Sequence, residues 1–189
     1  MRFLKGDGAV PLLPLALLLL GSVGPLAIAP HMMKLPYDPV KDLAPLTMAM
    51  NFPNVLVVDP GAGIKTFADF IATARKNPGK LTFASTGPGS ASHLSGELLN
   101  DMAKLDTVHV PYKGGAAALQ DVLGGRVTGW FATMATAAPH IEAGKLIALA
   151  STGTQRLAAL SKVPTVAESG FPGFNATNWY AFVASSTVP

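Results

Sequence analysis

From Asn54 onward, short apolar runs alternate with amphipathic stretches, and few folds can accommodate that alternation. Val55 to Val58 reads as a strand closed by Asp59-Pro60-Gly61. Thr66 then caps a helix, with Asp69 three residues later in a capping-box arrangement. Phe67, Phe70, Ile71 and Ala74 supply its apolar face, and Asn77-Pro78-Gly79 ends it. Leu81 to Ser85 is the next strand. A helix from about Ser92 to Lys104 follows, with Leu94, Leu98 and Met102 on one face. Further strands at Thr107 to Val110, Val127 to Ala132 and Leu146 to Ser151 alternate with helices at about Ala116 to Leu123 and Thr136 to Ala143. An irregular segment containing Pro164, Gly170, Pro172 and Gly173 leads to a last strand at Asn178 to Val183. This order predicts an α/β fold with a largely parallel sheet covered by helices. Ligands of such sheets sit at the carboxyl ends of strands. The loops after Ser85, Val110, Ala132 and Ser151 therefore carry the search for function.

Composition removes several alternatives. Hydrophobic residues make up 49% of the 189 and charged residues 13%, which excludes a disordered chain. The net charge is only +3 and the Lys and Arg residues are scattered, so no nucleic-acid partner is expected. There is no cysteine, which excludes disulfides, thiolate metal sites and cysteine nucleophiles. His31, His93, His109 and His140 are dispersed along the chain without a ligand motif, so neither a metal nor a cofactor is expected.

The N-terminus reads two ways. Arg2 and Lys5, the apolar run Leu12 to Leu20, and Ala27-Ile28-Ala29 have the layout of a secretory signal. The run is short of the about 20 residues that a membrane span needs. Asp7 and Pro30 oppose the signal reading. The alternative is a buried strand at Leu17 to Ser22 followed by a loop.

The loop Ser85-Thr86-Gly87-Pro88-Gly89-Ser90-Ala91-Ser92-His93 leaves a strand and opens a helix. Its glycines let backbone approach a ligand, and amides at a helix N-terminus favour an anion. Its hydroxyls can donate further hydrogen bonds. It is neither a phosphate loop nor a dinucleotide fingerprint, because no Gly-Lys-Ser/Thr follows and Ser92 stands where the third glycine is required. The plain alternative is a tight turn with Ser92 as N-cap. His93 is expected to donate a hydrogen bond to ligand or backbone. Tyr112 and Lys113 at the next strand-to-helix junction could reach a carboxylate. Thr133 and Thr136 could contact a ligand, or cap the helix that follows. Catalytic patterns are poor: there is no nucleophile elbow, and Ser90, Ser92 and His93 are too close in sequence to form a triad alone.

Several ordered segments together resemble the tripartite tricarboxylate transporter solute receptors, also called Bug-type receptors. They are Leu35-Pro36-Tyr37-Asp38-Pro39, Asn77-Pro78-Gly79-Lys80-Leu81, Ser92-His93-Leu94-Ser95-Gly96-Glu97-Leu98, His109-Val110-Pro111-Tyr112-Lys113-Gly114, Leu123-Gly124-Gly125-Arg126 and Val163-Pro164-Thr165-Val166-Ala167-Glu168-Ser169-Gly170. The resemblance runs from about Leu17 to Pro189. It implies a periplasmic binding protein type 2-like fold, with two lobes closing on a small organic acid that is passed to a membrane permease. It implies no enzyme activity. The carboxylate-holding loop maps to Ser85, Thr86, Gly87, Gly89, Ser90, Ser92 and His93, with Tyr112, Thr133 and Ser22 as further ligand-facing residues. Ala132 stands where many relatives carry Asp, which disfavours an amino-acid ligand.

On this resemblance residues 1–50 form part of a first lobe, with 1–16 an atypical extension, 51–177 the second lobe, and 178–189 a strand returning to the first. The first lobe reads as incomplete, with self-association through its uncovered surface as a consequence. The competing readings are a degenerate receptor fragment that no longer binds, and a serine hydrolase using Ser90 or Ser92 with His93 or His109.

Overall fold

A computed structural model describes residues 18–187. The basic start of the signal-like segment and the proposed extension 1–16 lie outside them. The elements in chain order are β1 (Leu19–Ser22), a π-helical turn (Gly24–Ile28) running into a short helix α1 (Ala29–Met32), and the long strand β2 (Leu43–Val58). Then come α2 (Phe67–Lys76), β3 (Thr82–Ser85), α3 (Ala91–Ala103), β4 (Val108–Pro111) and α4 (Gly115–Leu123). The last are β5 (Gly129–Thr133), α5 (Met134–Glu142), β6 (Ile147–Ser151) and β7 (Thr177–Ser185).

β2 organises the molecule. Its first part, Leu43–Pro53, pairs antiparallel with β7, which in turn carries β1 antiparallel on its other edge. Its last part, Asn54–Val58, lies between β5 and β6, antiparallel to both. The alternation of strands and helices does produce parallel pairing, between β3 and both β4 and β5. The sheet as a whole is mixed, because β2 enters it from the other direction. The sequence-expected strand at Val55 to Val58 is thus only the buried end of a 16-residue strand. The polar and Pro-containing stretch before it masks the rest, since Pro45 and Pro53 cannot donate to a ladder.

Val55, Leu56, Val57 and Val58 are all fully buried. A strand covered on both faces reads as a continuous apolar run. Leu56 and Val58 face Phe67, Phe70, Ile71 and Ala74 of α2 and Leu99 of α3. Val55 and Val57 face Ala118, Leu119 and Val122 of α4, Ala137 of α5, and Trp130. Each such side chain contributes about 1.5–3 kcal/mol by leaving water. The capping box of α2 forms as the spacing predicts: Asp69 N–H donates to Thr66 Oγ1 at 3.1 Å, and Thr66 N–H donates to Asp69 Oδ2 at 2.9 Å.

α3 differs from expectation. Its buried face is Ala91, Ser92, Ser95, Gly96, Leu99 and Ala103, while Leu98 and Met102 only flank the core. The reason is close approach to the sheet. A Cβ at Gly96 would sit within 2.2–2.6 Å of the Phe83 ring. Phe83 is itself 1% exposed and packed edge-on to Phe131, so it has nowhere to retreat. At the N-terminus, the alternative to a signal segment is a buried strand at Leu17 to Ser22. Leu19–Ser22 is a strand, but Leu18, Leu19 and Leu20 are exposed, since β1 hangs on the edge of β7 and nothing among the described residues packs over these side chains.

Gly96→Ala should therefore lower the free energy of unfolding by about 1–3 kcal/mol in urea titrations. Combining it with Phe83→Leu should cost less than the sum of the single changes. An unchanged urea midpoint for Gly96→Ala would show that the helix can slide away instead.

Candidate functional site

The loop between β3 and α3 is held by its own polar groups, and counting them shows what is left for a ligand. Thr86 N–H donates to Ser92 Oγ at 3.0 Å, and Gly87 N–H to Ser85 Oγ at 3.1 Å. Pro88 has no N–H. Gly89 N–H donates to His93 Nδ1 at 3.1 Å, and Ser90 N–H to the Gly87 carbonyl at 3.2 Å. His93 N–H donates to Ser90 Oγ at 3.3 Å. The amides of Ala91 and Ser92 remain. They occupy the first helical positions, where no intrahelical carbonyl is available, and no partner for them occurs among the described residues.

The N-cap of α3 is Ser90, not Ser92. Ser92 is the second residue of the helix, and its Oγ instead receives the Thr86 amide across the turn. The Ser90 hydroxyl proton goes to the Gly87 carbonyl at 2.6 Å, so Ser90 shapes the loop and is not a donor to an anion. Thr86 Oγ1 touches only Ser92 Oγ, at 3.4 Å, while Ser92 Oγ also lies 3.1 Å from Ser90 Oγ, so the Thr86 hydroxyl is the most loosely held of the three. Gly89 adopts φ +74°, and a Cβ there would press on Met32 at 3.1 Å, so glycine is required twice over.

His93 corrects a second expectation. It accepts a backbone hydrogen bond rather than donating one, because Nδ1 faces the Gly89 amide. Its ring stacks on His109, centroids 3.9 Å apart, and His109 stacks on Phe83 at 5.1 Å. His109 Nε2 lies 2.6 Å from Ser85 Oγ. Burial, reinforced by the neighbouring His93, pushes the His109 pKa down to about 4. The fold also does what the dispersed sequence positions did not suggest: it gathers ligand atoms of His93, Glu97 and His109 within 4.8 Å of one another. The two imidazoles are already engaged, however. A ring whose Nδ1 accepts from Gly89 carries its proton on Nε2, which faces Glu97 Oε1 at 3.6 Å and has no lone pair to offer a cation.

A cleft of about 510 Å³ lies in front of the loop, within the range of small-molecule sites. Of the sequence-expected residues, Thr86, Gly89, Ser90, Ser92, Thr133 and Ser22 line it. Ser85, Gly87, His93 and Tyr112 do not. Ser85 is fully buried behind the loop and bonded to His109. Gly87 and His93 act through the loop's internal bonds. Tyr112 is turned away: its hydroxyl donates to Asp121 Oδ2 at 2.6 Å, and burial, together with that carboxylate, raises its pKa to about 12. Thr133 sits at the N-cap position of α5 without a capping bond. Its Oγ1 instead pairs with Thr136 Oγ1 at 3.1 Å, so one of the two hydroxyl protons stays available to the cleft.

The cleft also includes residues with no motif to announce them: Asn54, Trp130, Asn178 and Tyr180. Asn54 and Trp130 are 1% exposed. A polar residue directly before an all-buried apolar strand was the one available signal for Asn54. Among the described residues, no charged side chain lines the cleft. What converges there is neutral: two free amides, several hydroxyls, and a wall of Val23, Pro25, Ala29, Met32, Met33 and Phe131. Among the described residues, no helix is long and apolar enough to cross a membrane.

Fold and cleft define an α/β binding-protein architecture of the periplasmic type. The chain belongs to the tripartite tricarboxylate transporter family of receptors, whose family model matches residues 17–189. It is 37% identical over 169 residues to Protein BugT of Bordetella pertussis, covering 89% of this chain and 52% of that one. It is 36% identical over 157 residues to a UPF0065 protein from the tcbD-tcbE intergenic region of Pseudomonas sp. strain P51, covering 82% of this chain and 47% of that one. The chain thus spans about half the length of these curated relatives. Among solved structures it is similar to R. palustris Rpa4515 with adipate (TM-score 0.85, 33% identity, 91% of this chain and 58% of that one). It is also similar to MatC from Rhodopseudomonas palustris with bound malate (TM-score 0.80, 30% identity, 91% and 59%).

The histidine stack sets an acid limit. His109 has an ordinary pKa of 6.5 when unfolded and about 4 when folded. Between those values the unfolded state binds more protons, so stability is fully present above pH 6.5 and is lost as pH falls through 4. A melting-temperature drop on the order of 5 °C between pH 7 and pH 4.5 is expected from this group. His109→Asn should flatten that part of the profile. An unaltered profile in the variant would assign the acid limb to other groups.

Proposed function

We propose that this chain is the ligand-cradling part of an extracytoplasmic receptor for a small organic carboxylate, working with the membrane permease of a tripartite tricarboxylate-type transporter. The observation that carries the reading is the set of unspent donors at the start of α3. The amides of Ala91 and Ser92 and the Thr86 hydroxyl meet at the positive end of a 13-residue helix, in front of a cleft that no acidic side chain among the described residues lines. Adipate in one similar structure and malate in another support the same ligand class. On this reading β2 and β7 cross from the body described here to a companion lobe. Residues 51–177 form the body, while 1–50 and 178–189 belong to the companion side.

Binding is the better reading than catalysis. A hydrolase would need an exposed nucleophile with a free proton path to a base. Ser85, the serine beside His109, is 0% exposed. Of the two candidate nucleophiles, Ser90 gives its proton to a carbonyl, and Ser92 is 5% exposed with its Oγ bonded by the Thr86 amide. The function proposed is therefore capture and release of a solute, in the periplasm, without chemistry.

Calorimetric titration with adipate, malate, succinate, benzoate and nicotinate tests this. At least one should release or absorb heat with saturable binding. Thr86→Val, which keeps the exposed side chain's shape but removes its hydroxyl, should weaken that acid roughly tenfold, the worth of one hydrogen bond to a charged group. Heat from none of the five overturns the proposal. Because no Asp, Glu, His, Lys or Arg among the described residues lines the cleft, affinity should also stay constant between pH 6.5 and 8.5. A steep pH dependence in that window would mean that a charged side chain outside the cleft binds the acid.

A further inference from the structure

Resting on the carboxylate reading, we propose that His93 is a positioning residue for the anion loop, and that the loop holds its ligand only while this ring is unprotonated at Nδ1, so that acid unloads the cleft. His93 stands behind the loop and does not line the cleft. Its Nδ1 is the acceptor for the Gly89 amide at 3.1 Å. A ring nitrogen accepts only when it carries no proton. A proton placed there sets two N–H donors against each other. Whether the ring then turns or the loop withdraws, the Gly89 amide loses its partner, and a donor out of water without a partner is costly. The turn has little room to adjust. A Cβ on Gly89 would lie 3.1 Å from Met32 Sδ and 3.4 Å from Ile28 Cγ2, so the turn already rests on the segment whose Met32 walls the cleft. The next residue is Ser90, the N-cap of α3, so a shift at Gly89 carries the amides of Ala91 and Ser92 with it.

The surroundings of the ring decide where a proton goes. His109 stacks on His93 with centroids 3.9 Å apart, so two charged rings would repel at close range. His109 is itself held neutral down to about pH 4 by burial and by this neighbour. A proton that reaches the stack above that pH therefore goes to His93, whose Nε2 faces the half-exposed Glu97 carboxylate at 3.6 Å. The other elements packed on α3 bring no competing group: β2, β3 and β5 contain no acidic, basic, histidine or tyrosine residue, and β4 contains only His109. On α3 itself Asp101 pairs with Lys104. The Tyr112 hydroxyl is spent on Asp121, and His31 and Lys34 line a separate hollow. A charge on His93 would by itself attract an anion, but the ring is no part of the cleft and Glu97 offsets its charge. Loss of the loop's shape decides the sign.

The test uses the full chain and whichever of adipate, malate, succinate, benzoate and nicotinate gives the largest saturable heat at pH 7.5. Between pH 7.5 and pH 5, where histidines take up protons, the natural chain should lose about fivefold more affinity than His93→Asn. The asparagine amide oxygen takes the place of Nδ1 but binds no proton. The ligand's own titration is common to both proteins, so their difference reads the ring alone. His93→Leu, which removes the acceptor, should bind more weakly than His93→Asn already at pH 7.5. Melting curves at both pH values check that each protein is folded, and a His93→Leu chain that does not fold leaves the comparison with His93→Asn to decide. In the natural chain saturated with ligand at pH 5.5, ring-nitrogen NMR should find Nδ1 of His93 unprotonated, because binding and proton loss are linked. A protonated Nδ1 in the loaded chain overturns this inference and leaves the carboxylate reading standing. So does an equal loss of affinity in the natural chain and His93→Asn, or tighter binding by the natural chain at pH 5. If His109→Asn removes the acid loss and His93→Asn does not, the control lies in the other ring and the inference likewise falls. Heat from none of the five acids overturns both readings.

Discussion

Val55–Val58 is buried on both faces, and almost every other feature of the molecule follows from covering it. One face collects α2 and α3, the other α4 and α5. With two helical layers in place, the strand's hydrogen bonds must come from its edges, and β5 and β6 supply them. The same chain, eleven residues earlier, leaves this body and pairs with β7. A single strand thereby fixes where the sheet ends, where the second layer of pairing begins, and where the cleft opens. The cleft lies at this changeover: Asn54 is the first residue of β2 to pair with β5, and Thr133 is its partner.

The anion loop is a separate economy of hydrogen bonds. Five of its amides are consumed in holding its own shape, and His93 accepts one of them although an imidazole in such a place looks like a ligand group. This use of polar groups is what makes the two remaining amides effective. They need no reorganisation when a carboxylate arrives, because the loop around them is already closed by bonds to Ser85, Ser90, Ser92 and His93. The neutral lining follows the same logic. A lysine in the cleft would bind acids more strongly but would itself need a partner when the cleft is empty, whereas fixed amides and hydroxyls can be solvated at little cost.

Much of this was legible in the sequence, and the reasons for the rest are specific. The strand–helix order, the Thr66–Asp69 capping box and the glycine-rich loop depend on local rules, and they fold as those rules say. Sequence pattern alone selects a different face of α3, because Gly96 and Ser95 look like poor core residues until Phe83 is placed against them. Tyr112 looked ligand-facing beside Lys113, yet Asp121, nine residues later, turns it toward α4. The gathering of His93, Glu97 and His109 needs the β3–β4 register, which brings His109 opposite Phe83, and no spacing rule reports that.

Asn54 and Trp130 show most clearly where local reading must fail. A sequence that specifies its fold through consistent local choices places polar groups where they can be paired, and departures concentrate at functional sites. Asn54 breaks the pattern of the most deeply buried strand in the molecule, and Trp130 places an N–H in the same interior. The fold tolerates this because β2 is stabilised elsewhere along its length, by four fully buried apolar side chains and three neighbouring strands. Replacing either donor by an apolar group of similar size would remove an unpaired donor without opening a cavity, so stability alone gives no reason to keep them. Among the described residues these are the two places where burial and packing alone do not account for the polar group present.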